Sequence, residues 1–261
     1  MRNKRVGFLG DPNFPTYGLK GTKGGDITFY ESLYEDYSRK SFTHIEDRPF
    51  AISGLEQRLH QALDEKIGSG GGFWGIFDHY WGRGLLWQRE ANVERMIRLR
   101  RGASGREAAP SWSWEGHSGG ITFMKPDPHT VDWLSDEVIL PWTKAKESHS
   151  RMTTASYRGE RALKGKALEW KHDPHLNHDD TYESIVYDDE ANLPSRDILR
   201  ILVVGRKKLT EYQHSQVRKH SYVLVLAPKG VASGYIYERV GAGSLDESLI
   251  DFENSTSVLV E

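Results

Sequence analysis

The chain has 261 residues, no cysteine, a formal net charge of −2 and 37% apolar residues. That length suits one large domain or two small ones, at roughly 100–200 residues each. Without cysteine there is no disulfide, thiolate metal site or cysteine nucleophile, and the near-neutral charge gives no general attraction to nucleic acid or to an anionic membrane.

Residues 1–25 are rich in Gly and Pro and read as an irregular arm. A helix is expected from Asp26 as N-cap, with Phe29, Leu33 and Tyr37 at four-residue spacing and Tyr30 and Tyr34 beside them. A second follows "EDRP". Asp47 caps it, Pro49 sits in its first turn, and Ile52, Leu55, Leu59, Leu63 and Ile67 form its stripe. "GSGGG" (68–72) ends it. Phe73, Phe77, Trp81 and Leu85 recur at helical spacing in a third segment that Gly82 and Gly84 weaken, and "EANVERMIRLRR" continues as helix to Gly102.

After Pro110 the period changes from 3.6 toward 2, which would put Trp112 and Trp114 on one face of a strand. Short runs bounded by Gly, Pro, Asp or Asn follow as strands: "GITFMK", "RALKGKALEW", "ESIVYD", "DILRILVVGRK", "SYVLVLAPKG", "GYIYERVG" and "TSVLVE". Residues 198–204 and 222–227 are nearly continuous apolar stretches, so both of their faces should be buried. The expected fold is α+β: a helical N-terminal half (26–108) packed on an antiparallel β-sandwich or barrel-like C-terminal half (109–261), the two forming one continuous unit.

Four features invite chemistry. The Trp112/Trp114 pair is either an exposed stacking platform or a buried plug between helices and sheet; a fully exposed pair would be a solubility liability, which favours the plug. His172, His175 and His178, with Asp179 and Asp180, are either metal ligands or a solvated loop, and Pro174 keeps them off a helix. Arg95, Arg98, Arg100, Arg101 and Arg106 either touch phosphates or form a solvated face interspersed with acids. The adjacent acids Asp188 and Asp189 show no sign of a shared pocket. Neither glycine run fits a phosphate-binding loop, and no Gly-x-Ser-x-Gly elbow occurs.

Several segments together resemble the region that follows the HET domain in fungal heterokaryon-incompatibility proteins. In "FYESLYEDYSRKSFTHIEDRPFAISGLEQRL" (29–59) the matching positions are Tyr37, Ser38, Arg39, Phe42, Thr43, Asp47, Arg48, Ala51, Ile52, Ser53 and Gly54. "GIFDHYWGRGLLW" (75–87) matches at Gly75, Leu85, Leu86 and Trp87. "APSWSW" (109–114) is similar to the family's most recognisable signature, and "YIYERVGAG" (235–243) matches at Tyr237, Arg239, Val240 and Gly241. Tyr30 and Phe77 stand where the family usually has Trp. The Asp-Cys-Ile-Asn-Gln and Gly-Trp-Thr segments of the HET domain itself do not occur, so the resemblance implies the C-terminal region alone, as a split, truncated or fragmentary product.

What the resemblance implies is a non-enzymatic accessory region that packs against, regulates or confers specificity on a HET domain in fungal nonself recognition and programmed cell death. No catalytic, cofactor or metal residue carries over from it. Its expected partner is a HET domain or another protein, with no nucleic acid and no membrane. The expected location is cytoplasmic, since no run approaches the ~18–20 apolar residues of a membrane span and the N-terminal apolar run is too short for a signal peptide. The competing expectations are an aromatic-lined module for a carbohydrate or similar ligand and, behind it, a metal-dependent enzyme at His172, His175 and His178.

Overall fold

Residue 14 and residues 22–67, 72–99, 108–142, 160–171, 183–208, 218–230 and 235–261 are described by the computed structural model. Helix α1 (Lys23–Ser38) starts ahead of Asp26 because Thr22 supplies the cap, its hydroxyl accepting from the Gly25 amide at 3.3 Å. Asp26 then falls in the first turn, where the helix dipole favours a carboxylate. The inner face also differs from the expected stripe. Ile27, Tyr30 and Tyr34 are buried, while Phe29, Leu33 and Tyr37 flank them half-buried. Glu31 explains this rotation: it meets Arg83 of a later helix through two 2.8 Å contacts in the interior, so the face carrying 27, 30, 31 and 34 must turn inward.

Helix α2 (Arg48–Ile67) carries Pro49 in its first turn and buries Ile52, Leu55, Leu59 and Leu63, as expected; the Ile67 side chain lies outside the described residues. The third helix is much shorter than its spacing suggests. Residues 72–77 form a hairpin of β1 (Gly72–Phe73) and β2 (Ile76–Phe77), and the helical part is confined to a 3-10 turn (Asp78–Tyr80) running into α3 (Trp81–Leu85). Both turn residues, Trp74 and Gly75, have positive φ (57° and 76°), the geometry of a two-residue turn that matches strand twist.

The helix expected over "EANVERMIRLRR" is not formed in its described residues, 90–99. Strand β3 (Trp87–Arg89) pairs with β6 (Ile121–Phe123), and β4 (Ile97–Arg98) pairs with β5 (His117–Ser118). Amides that a helix would turn on itself go elsewhere: Met96 donates to the Asp188 carbonyl at 2.7 Å and Leu99 to that of Gly116 at 2.8 Å. Tertiary pairing here overrides local propensity, so helices dominate only up to residue 67 rather than to 108.

The rest is built on a mixed sheet of seven strands among the described residues: β7 (Val131–Trp133), β8 (Leu163–Trp170), β9 (Glu183–Tyr187), β10 (Arg200–Lys207), β11 (His220–Pro228), β12 (Ile236–Asp246) and β13 (Ile250–Val260). The hydrogen-bonded path β10–β11–β12–β13–β8 returns to β10 and so closes into a ring; β7 extends β10 beyond its pairing with β8, and β9 flanks β12. Pairing is not antiparallel throughout. An odd-numbered ring cannot alternate strand direction all the way round, and the parallel contact falls between β12 and β13, at Ile236↔Leu259 and Tyr237↔Val260.

Both apolar runs are buried on two faces within their strands, although Ile198, which falls in the turn ahead of β10, is exposed. Leu202, Val204, Leu224 and Leu226 feed one buried cluster, shared with Trp74, Trp112 and Trp142 of the preceding segments. Their neighbours Ile201, Val203, Val223 and Val225 point the other way, into a cluster closed by Leu168, Leu245, Leu249 and Ile250. No helix among the described residues is long and apolar enough to cross a membrane.

Candidate functional site

The segment 109–117, "APSWSWEGH", is where the helices, the hairpins and the ring meet. It is not a strand. Residues 111–112 form a turn and Trp114–Gly116 a short 3-10 helix capped by Ser113, whose hydroxyl accepts from the Glu115 amide at 3.1 Å. The change of backbone sends the two indoles apart rather than to one shared face. Trp112 packs edge-on to Trp74 (5.5 Å between centroids) and beside Trp142 (6.1 Å) in the cluster shared with the sheet. Trp114 packs on Tyr34 (5.1 Å) and Tyr37 (6.2 Å) in the helical cluster. Both indoles have 0% exposure, so they form a plug and present no stacking platform.

The polar atoms of the segment are bonded into both halves. The Ser111 hydroxyl accepts from the Arg239 amide of β12 at 2.9 Å, and the Ser113 hydroxyl donates to the Trp74 carbonyl at 2.8 Å. Trp87 Nε1 donates to the Trp112 carbonyl at 2.8 Å. Gly75 makes room for the arrangement: a Cβ there would lie 2.0 Å from Trp114 Nε1.

Two buried arginines flank the plug. Arg48, at the start of α2, donates to the carbonyls of Ser38, His117 and Gly119 and lies over the Trp114 ring, 5.2 Å from its centroid. Arg239 lies 3.2 Å from the Trp87 centroid, donates to the Trp87 carbonyl and pairs with Asp188 at 3.2 Å. Burial draws both guanidiniums down to about 10, leaving them charged at neutral pH. Burial likewise lifts the Asp188 carboxyl to about 6, against the pull of Arg239. His117 is held well below its ordinary value, first by burial and then by Arg98 and Arg239, so it is neutral; its Nδ1 lies 3.1 Å from the Ser113 carbonyl.

Glu56 and Glu115 are also buried. Glu56 accepts from the Gly75 amide at 2.6 Å. Neither Glu115 oxygen has a hydrogen-bond partner among the described residues, and burial followed by the Glu56 charge raises its carboxyl well above the ordinary range.

The other sequence candidates fare differently. His172, His175, His178, Asp179 and Asp180 lie outside the described residues, as do Arg100, Arg101 and Arg106. Among the described residues no group of three or more His, Asp or Glu side chains could hold a metal ion. Arg95 is exposed, whereas Arg98 is half-buried and donates to the Gly116 carbonyl at 3.0 Å. Asp188 and Asp189 diverge, the first turning inward to Arg239 and the second capping the short turn at 190–192. Reading the sequence did not single out Glu56, Glu115 or His117. The signal that was present is a run of polar residues, Ser111, Ser113, Glu115 and His117, alternating with bulky or small ones inside a segment already suspected of burial. Comparison with known proteins finds no family model, no curated protein and no solved structure that matches this chain.

Proposed function

We propose that this chain is a non-enzymatic accessory region of the heterokaryon-incompatibility type, acting by packing against or regulating a HET domain in fungal nonself recognition. One observation carries the reading. The four segments behind the resemblance are far apart in sequence, yet they meet at one buried joint. Ser38 and Arg48 come from the first, Gly75 and Trp87 from the second, Ser111 to Trp114 from the third, and Arg239 from the fourth. A signature whose side chains are committed to internal contacts specifies a scaffold, and it leaves recognition to the surface around it. Indoles at 0% exposure also speak against a carbohydrate platform, which needs an open aromatic face.

The test is direct binding. The full chain is titrated with a separately expressed HET domain by calorimetry. Saturable binding, retained when exposed residues remote from the contact are changed, is the expected result. Heat indistinguishable from dilution at the highest attainable concentrations removes the proposal. A parallel titration with soluble oligosaccharides, read by tryptophan fluorescence, addresses the competing module; a saturating response there would install it instead.

A further inference from the structure

One cross-strand row of the sheet carries rings that the buried joint does not use. Trp133 of β7, Gly205 of β10, Tyr222 of β11 and Ser244 of β12 stand opposite one another in register. Side chains two strands apart start ~9.6 Å from each other. Across the bare Gly205 the Trp133 and Tyr222 rings close to 6.4 Å between centroids. Trp81 of α3 meets Trp133 in turn, also at 6.4 Å. All three rings are half-buried and pack their inner sides on the cluster beneath the sheet. The seat of Trp133 is made by two glycines. A Cβ on Gly82 would lie 2.1 Å from its Cε3, and one on Gly205 2.9 Å from the same atom. Glycine inside a helix or strand is less stable than alanine, yet both positions keep it to hold a ring that stays partly open. Cε3 belongs to the six-membered ring, so Nε1 lies on the side away from this seat. Nε1 of Trp133, Nε1 of Trp81 and the Tyr222 hydroxyl have no hydrogen-bond partner among the described residues, and none of these atoms is buried. Rings with one side in the core and a polar tip at the surface are the form that Trp and Tyr take where something binds.

Positive charge lies beside the strip. Strand alternation puts Lys207 on the face of Gly205 and His220 on that of Tyr222, one step further along the same two strands. Lys207 and Lys219 are exposed and make no ion pair among the described residues. The acids nearby are committed elsewhere. Asp132 alternates to the opposite face and pairs with Lys208 at 3.1 Å. Asp246, across from His220, is buried and accepts from the Ser248 amide at 2.8 Å. We propose that this strip binds single-stranded nucleic acid, with Tyr222, Trp133 and Trp81 stacking unpaired bases while Lys207 and Lys219 meet the adjoining phosphates. An unpaired strand offers both partners the strip calls for, an open π-face and a phosphate at every nucleotide. A neutral sugar offers nothing to the lysines, and a duplex keeps its base faces stacked on one another. The chain's net charge of −2 gives no general pull on a polyanion. The attraction is local to one end of β10 and β11, so stacking carries most of the binding and ion release a small share. The strip lies apart from the buried joint and does not rest on the heterokaryon-incompatibility reading.

Fluorescence anisotropy of a labelled single-stranded oligothymidylate, titrated with the full chain at low salt, tests this. Saturable binding is expected, with a shallow salt dependence: two phosphate contacts give a slope of roughly −1.4 in log K against log salt. Lys207→Glu should weaken binding and flatten that slope. Tyr222→Leu, which keeps the apolar packing, should weaken binding about tenfold and leave the slope unchanged. A duplex of mixed sequence should compete roughly tenfold less well than the single strand. No saturable binding by the wild-type chain overturns the proposal, and this measurement needs no variant to fold. Equal competition by the duplex overturns it as well, since charge alone would then account for the binding. Unchanged affinity in Lys207→Glu, or in Tyr222→Leu (Trp81→Leu should the latter not fold), overturns it equally.

Discussion

The indole nitrogen of Trp87 donates to the backbone carbonyl of Trp112 at 2.8 Å, and this bond joins two hydrophobic clusters that share no side chain. Trp87 belongs to the cluster beneath α1 and α2, whereas Trp112 belongs to the one beneath the sheet. A buried N–H left without its acceptor costs about 1–3 kcal/mol, so each cluster stabilises the orientation of the other.

Truncating either signature tryptophan should therefore be costly. Trp112→Ala and Trp114→Ala are each expected to lose about 3–5 kcal/mol, a large share of the ~5–15 kcal/mol typical of a domain. Urea denaturation of each variant measures this. A loss under about 1 kcal/mol for both would mean that the indoles do not hold the joint.

A pair of glycines separates backbone strain from steric overlap. Gly75 and Gly230 have similar φ, 76° and 82°, but a Cβ on Gly75 meets Trp114 while one on Gly230 meets nothing within 4 Å. Gly230→Ala should cost about 1 kcal/mol from strain alone. Gly75→Ala should add about 1–3 kcal/mol of overpacking. Equal melting temperatures for the two variants would contradict the packing described around Trp114.

The Arg239–Asp188 pair should show strong coupling. Arg239→Met strands a buried carboxylate and is expected to cost about 3–5 kcal/mol. Adding Asp188→Asn to that variant removes the stranded charge and should recover part of the loss. A double-mutant cycle with coupling near zero would show that the two groups act independently.

On the acid side, His60 and His117 each destabilise the fold as pH falls, a trend that the raised Asp188 partly offsets. Burial lowers His60 to about 4, and its ring lies 4.4 Å from that of Phe77. Between the ordinary histidine value of about 6.5 and about 4, the unfolded chain binds a proton that the folded chain refuses, so stability falls as pH drops through that window. His60→Gln should flatten this limb. Melting curves recorded across that range check it, and an unchanged slope would assign the acid lability to other groups.

Legibility in the sequence followed a physical divide. The α2 stripe and the runs at 198–204 and 222–227 were readable because burial leaves a local, repeated trace in residue type. The burial of Trp112 and Trp114 was readable from size alone, but their divergence into different clusters was not, since it depends on a 3-10 turn that their spacing does not encode. The hairpin at 72–77 hid behind helically spaced aromatics because Phe73 and Phe77 are buried either way, in different clusters. Residues 90–99 have helical composition, yet their amides bond to carbonyls at 116 and 188 that only the folded chain brings near. The charged pairs were illegible for the same reason: Arg239 finds Asp188, and Arg83 finds Glu31, across long stretches of chain.

The ring of strands has a narrow seam. Where β12 meets β13, two residue pairs and the amides of Leu259 and Glu261, donating to Tyr235 and Tyr237 at 2.8 and 2.9 Å, complete the circuit. Every other junction of the ring has more rungs, so breathing motions should begin at this gap, and the loss of a few residues there would turn a cylinder into a curled ribbon with two raw edges.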